Sequence, residues 1–113
     1  TLHIIHVIDT GIATSYEMLF ENMIELVQQH GEVLLNSSKL TAIEAGVTNV
    51  NTILTKGVPK ITLSKRLSDI VEADLIICGA TGLNAVEQIF IGSNTEAIVR
   101  HAKCDVLIVR TPE

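Results

Sequence analysis

Leu75-Ile76-Ile77-Cys78-Gly79-Ala80-Thr81-Gly82, followed after nine more residues by Gly92-Ser93-Asn94-Thr95, decides how this chain folds. The apolar run Leu75–Cys78 reads as a buried strand. It empties into a loop punctuated by glycine, and Glu96-Ala97-Ile98-Val99 then opens a new amphipathic run. A strand that ends in such a loop and feeds a helix is how α/β proteins cradle phosphate. Glycine admits close backbone approach and positive φ. The N–H groups of the helix start face the anion, with the positive end of the helix dipole behind them. Ser93-Asn94-Thr95-Glu96 also fits a capping box, with Ser93 as N-cap and Glu96 at N3. The two roles are compatible, because a helix start bearing a hydroxyl is also a good anion site.

The runs on either side of this stretch alternate between strand and helix. Thr1–Asp9 is nearly continuous in aliphatics (Leu2, Ile4, Ile5, Val7, Ile8), as suits a parallel strand covered on both faces; His6 within it is read as structural. Thr14-x-x-Glu17 fits a second capping box, and Leu19, Met23, Leu26, Val27, His30, Val33 and Leu34 recur at helical spacing. One long helix to about Glu44 is expected. It tolerates Gly31 at a cost of about 1 kcal/mol relative to Ala and closes with Gly46 as C-cap. Val50–Thr55 is the next strand, rich in β-branched residues. Pro59 suits the first turn of a helix with Ile61, Leu67, Ile70 and Val71 as its apolar stripe, running to about Glu72. Asp74–Cys78, Glu96–His101 and Asp105–Val109 complete the order β-α-β-α-β-loop-α-β.

This order predicts an α/β protein: an open parallel sheet with helices on both faces and right-handed crossovers, with residues 1–113 as a single domain. Ligands of such sheets bind beyond the carboxyl ends of the strands. Here those ends are Ile8-Asp9, Lys56-Gly57 and Gly79-Ala80.

Composition narrows the function. The chain of 113 residues is 47% hydrophobic, 19% charged and only 3% aromatic, which suits a layered core of Val, Ile and Leu and argues against disorder. A net charge of −5 disfavours nucleic acid, whose phosphates demand a basic face, and also an anionic membrane surface. No apolar run approaches the ~20 residues of a membrane span. Cys78 and Cys104 adjoin apolar runs, stand at no metal-ligand spacing and read as small buried hydrophobes, so a reducing, cytoplasmic setting is expected. Between Gly79 and Thr95 there is no Lys, Arg or His and no Walker ending. Phosphates there are expected to rest on backbone N–H groups, the hydroxyls of Ser93 and Thr95, and a divalent cation. Fast phosphoryl transfer needs a cationic clamp and a positioned base or water. Glu87, the one carboxylate inside the loop, reads as solvated surface. Hence a binding protein is expected, with hydrolysis slow or absent.

The pattern Gly-x2-Gly-x9-Gly-Ser on Gly79, Gly82, Gly92 and Ser93 resembles the ATP-binding branch of the universal stress protein family. Leu2–Asp9, Lys56-Gly57-Val58-Pro59 and the tail Ala97–Arg110 resemble that family too, so the resemblance covers almost the whole chain. It implies a Rossmann-like fold that binds ATP, or AMP or ADP, with magnesium or manganese. It places Ile5, Val7 and Ile8 on the adenine side, Val7 and Asp9 near base and ribose, and Gly57 and Val58 on the far wall. Gly79 approaches the ribose and first phosphate, while Gly82, Gly92, Ser93, Asn94 and Thr95 hold the phosphates; Asn94 stands at a variable place of the pattern. The resemblance also implies an earlier β-α unit of about 30 residues, apparently missing here. That strand is central in the family order, so without it the first strand and the Leu75–Cys78 strand are not expected to touch. The apolar final strand Val106–Val109 is a sheet edge, expected to pair with its twin in a homodimer. The leading expectation is a nucleotide-dependent stress-response module. A weak Mg-dependent ATPase on the same scaffold and a dimeric interaction module with no nucleotide stand as alternatives.

Overall fold

Two aliphatic strands, β1 (Leu2–Asp9) and β2 (Val50–Gly57), lie parallel in unbroken register from Leu2↔Val50 to Asp9↔Gly57. The computed structural model describes residues 1–9, 21–80 and 91–110. The Thr14–Glu17 capping box, Leu19, Gly82 and Glu87 lie outside those residues, as does the side chain of Met23. The crossover between the strands contains α1 (Glu21–Glu44), which runs unbroken through Gly31. Gly46 ends it at φ +100°, a conformation that favours glycine. Its N–H bonds Ile43 O at 3.0 Å, and the Val47 N–H bonds Ala42 O at 3.1 Å. This pair of bonds is a Schellman closure, so the expected C-cap is present.

The face that α1 turns to the strands differs from the expected one. Leu26, Val33 and Leu34 are exposed, at 60%, 66% and 45%. The packed face runs through Gly31 and the buried Leu35. A Cβ built on Gly31 would come within 2.9 Å of Leu54 Cδ1 and 3.0 Å of His6 Cδ2. The glycine therefore seats the helix against β1 and β2, and aliphatic periodicity alone points to the wrong side. The same contact gives His6 its structural role.

The chain divides into two compact units, Thr1–Val58 and Pro59–Glu113. The second contains α2 (Pro59–Lys65), α3 (Leu67–Ile70), β3 (Leu75–Gly79), α4 (Ser93–His101) and β4 (Asp105–Val109). The single helix expected from Pro59 to Glu72 is broken at Arg66. The Ser64 hydroxyl donates back to Lys60 O, a bond that weakens the regular helix ladder. Thr62 and Ser64 are buried where α2 packs on α4, while Ile61, expected in the core stripe, is 46% exposed. β3 and β4 are parallel from Leu75↔Asp105 to Gly79↔Val109.

Among the described residues the strands form two parallel pairs, β1–β2 and β3–β4, and not one continuous sheet; the first strand and the Leu75–Cys78 strand do not pair, as expected. The aliphatic run that begins at Leu2 forms β1 and takes its parallel partner from β2.

Candidate functional site

The turn between β3 and α4 is built from backbone. The Ala80 N–H donates to Val109 O at 2.9 Å, prolonging the β3–β4 ladder, and the Gly92 N–H donates to Ala80 O at 2.7 Å. Ala80 is buried. The chain thus leaves and re-enters this turn at two residues bonded to each other, so α4 starts directly at the carboxyl end of β3. Gly92 is the N-cap, at φ −61° and ψ 155°, with no side-chain capping bond. Its carbonyl accepts from the Glu96 N–H at 2.9 Å.

This geometry replaces the expected capping box. Ser93 stands at the first helical position, because the Gly92 carbonyl accepts the first intrahelical bond. The Glu96 carboxylate accepts instead from Arg100 Nη2 at 2.6 Å. Both side chains are exposed, so the pair contributes about 0.3–0.5 kcal/mol. Ser93 and Asn94 are exposed at the first turn. The N–H groups of a helix's first turn have no intrahelical acceptor, and the dipole makes that end attractive to anions.

Thr95 is placed differently from Ser93. It is buried, and Oγ1 donates to Gly79 O at 2.6 Å. The hydroxyl proton is used inside the turn, tying α4 to the last residue of β3. Cys78 adjoins it. Burial pushes the Cys78 thiol above its ordinary value of 9.0, and the Thr95 hydroxyl, which can turn from Gly79 O to donate to a thiolate, opposes the rise. At neutral pH the thiol is mostly protonated and reacts slowly as a nucleophile.

In the first unit, Val7, Asp9, Gly57 and Val58 come together at the carboxyl ends of β1 and β2. Asp9 is opposite Gly57 in register, Val7 is opposite Thr55, and Val58 follows as an exposed residue. Ile8, assigned by resemblance to the adenine wall, is buried with only 4% exposed. Of the phosphate-loop residues, Gly79, Gly92, Ser93, Asn94 and Thr95 gather at the carboxyl end of β3, and Gly82 lies outside the described residues. Ala80 was not singled out by sequence, although its amide and carbonyl organise the turn; a small residue after the first glycine was the only signal. Among the described residues no His, Cys, Asp and Glu cluster is arranged to hold a metal, and no helix is long and apolar enough to cross a membrane.

Comparison with known proteins gives one consistent result. Residues 1–110 match the Universal stress protein family. A universal stress protein relative from Staphylococcus saprophyticus is 47% identical over 112 residues, covering 99% of this chain and 67% of the relative. A relative from Staphylococcus epidermidis is 49% identical, covering 99% of this chain and 68% of its own. The solved universal stress protein UspA from Lactobacillus plantarum superposes with a TM-score of 0.81 at 25% identity, covering 96% of this chain and 77% of that one. A universal stress protein solved in complex with cAMP gives a TM-score of 0.65 at 28% identity, covering 99% and 75%. The chain belongs to the universal stress protein family.

Proposed function

We propose that this universal stress protein family member binds an adenine nucleotide, ATP or else AMP or ADP, and acts as a nucleotide-dependent module of the cytoplasmic stress response. The observation that carries the reading is the Ala80–Gly92 hydrogen bond. It holds the start of α4 against the end of β3, so that exposed Ser93 and Asn94 and the first-turn N–H groups converge where a phosphate would sit. The family relative in complex with cAMP supports a nucleotide as the ligand. Gly79, Gly82, Gly92, Ser93 and Asn94 are proposed for the phosphates, with magnesium or manganese as counter-ion. Thr95 contributes its backbone and holds the turn. On the first unit, Val7, Asp9, Gly57 and Val58 are proposed for the base and ribose. No cationic clamp is proposed, so hydrolysis is slow or absent.

Isothermal titration of the full-length protein with ATP and Mg²⁺ tests this, beside a Gly82→Val/Gly92→Val double variant whose fold is checked by circular dichroism. Binding by the unaltered protein alone supports the reading. Absence of binding, or equal binding by the folded variant, refutes it.

The same proposal includes a homodimer through β4. Among the described residues β4 pairs only with β3, and Leu107 and Val109 are about half exposed. An apolar strand edge of this kind invites pairing, and a second copy related by a two-fold axis closes it. A monomeric mass by light scattering at micromolar protein would rule this out.

A further inference from the structure

At the opposite end of β3 from the Gly79–Gly92 turn, the second unit carries an open cavity of about 240 Å³. It lies where α2 and α4 end and β3 and β4 begin. Leu67, Val71 and Ile76 line it with aliphatic side chains, and the exposed basic residues Lys65, His101 and Lys103 line it as well. Among the described residues no Asp or Glu lines it, although the chain as a whole carries a charge of −5. Asp74 and Asp105 lie one residue before β3 and at the start of β4, outside the lining.

Helix ends explain part of this charge. Lys65 occupies the last turn of α2, where a cation complements the helix dipole, and His101 ends α4. That account does not reach Lys103, which follows α4. Nor does it explain why Leu67, Val71 and Ile76 line the cleft beside these basic side chains. An apolar lining with a few polar groups is the usual composition of a small-molecule site. Drug-sized ligands occupy roughly 300–1,000 Å³, so this cavity takes something shorter.

We infer that this cavity binds a short amphiphilic carboxylate. The hydrocarbon part covers Leu67, Val71 and Ile76, and the carboxylate meets the ammonium groups of Lys65 and Lys103 in charge-assisted contacts, with a ring N–H of His101 as a further donor. The site is independent of the nucleotide reading and shares none of its residues.

Cys104 also lines the cavity and is half-buried, so it reports occupancy. Cys78, at the other end of β3, serves as a reference in the same sample. The experiment alkylates full-length protein with N-ethylmaleimide, with and without octanoate, and follows both cysteines by peptide mass spectrometry. With octanoate at about four times its dissociation constant, Cys104 alkylation slows about five-fold by mass action while Cys78 is unaffected. Octan-1-ol, which has the chain without the charge, protects far less. In a Lys65→Ala/Lys103→Ala variant whose circular dichroism is unchanged, octanoate protection is lost. Absence of protection, equal slowing at both cysteines, or equal protection by octan-1-ol in the unaltered protein overturns the assignment. Undiminished protection in the double variant does the same.

Discussion

Replacing Thr95 by Val tests the central geometry of the turn, because it removes one hydroxyl and keeps the side-chain shape. Thr95 is buried and its Oγ1 donates to Gly79 O at 2.6 Å. Val at this place opens no cavity, so the cost comes from the lost bond and from a carbonyl deprived of that donor. Gly79 is exposed and the bond is part-buried, so water can replace the donor and the cost is that of one net hydrogen bond, about 0.5–1.5 kcal/mol; urea unfolding should show a loss in that range. The second readout is Cys78. Its thiol lies above 9.0 because of burial, with the Thr95 hydrogen bond opposing the rise. Thr95→Val should therefore raise the Cys78 value further, seen as slower alkylation of Cys78 at a fixed mildly alkaline pH. Thr95→Ser keeps the hydroxyl and should leave Cys78 reactivity near that of the unaltered protein. The reasoning is refuted if Thr95→Val loses less than about 0.5 kcal/mol and alkylates at Cys78 like the unaltered chain.

Other outcomes follow from the same structure. Gly31→Ala gains about 1 kcal/mol of helix propensity, but its methyl would come within 2.9 Å of Leu54 and 3.0 Å of His6. Overpacking costs roughly 1–3 kcal/mol, so a net loss of about 1 kcal/mol is expected by urea unfolding; a gain would mean that both side chains yield freely. Gly46→Ala meets open space but sits at φ +100°, so a loss of about 1–2 kcal/mol is expected from backbone strain alone, and unchanged stability would contradict the left-handed closure. The Cys78 thiol has a higher pKa folded than unfolded, so the folded state holds its proton more tightly. Its contribution is complete below the unfolded value and is lost as pH rises above 9.0 through the folded value. Cys78→Ala should flatten that alkaline decline in stability, and an identical pH profile would show that the thiol plays no part.

The alternation of aliphatic strands with helical runs, and the glycine that closes α1, were legible in the sequence. Strand composition and the Gly46 turn are local properties, written into consecutive residues. The packed face of α1 was not legible, because Leu26, Val33 and Leu34 supply a strong aliphatic period on the side the strands do not use. What seats the helix is the missing Cβ at Gly31, and its effect depends on Leu54 and His6, distant in sequence. The break at Arg66 was equally hidden. It follows a serine that bonds backward to Lys60, and serine in a helix gives no sign of whether it does so. Element order alone does not determine the pairing of strands into β1–β2 and β3–β4. The expectation that the first strand and the Leu75–Cys78 strand would not touch came from the family resemblance, and the two do not pair.

The candidate site shows the same division most sharply at Ser93 and Thr95. In the sequence they are two hydroxyls in one phosphate-loop pattern, and nothing separates them. The Gly92 carbonyl accepts the first intrahelical bond, from the Glu96 N–H, which makes Gly92 the N-cap and places Ser93 at the first helical position, exposed. Two residues later Thr95 turns inward and spends its proton on Gly79. Only one of the two hydroxyls is then available to a ligand. Ser93→Ala should weaken nucleotide binding with little change in stability, by about 0.5–1.5 kcal/mol for one lost neutral hydrogen bond, read as an increase in Kd. Thr95→Ser should leave the Kd near its original value, because the strand end stays clamped. If Thr95→Ser weakened binding as much as Ser93→Ala, the Thr95 hydroxyl would have to leave Gly79 for the ligand, and the clamp would not be the role of that residue.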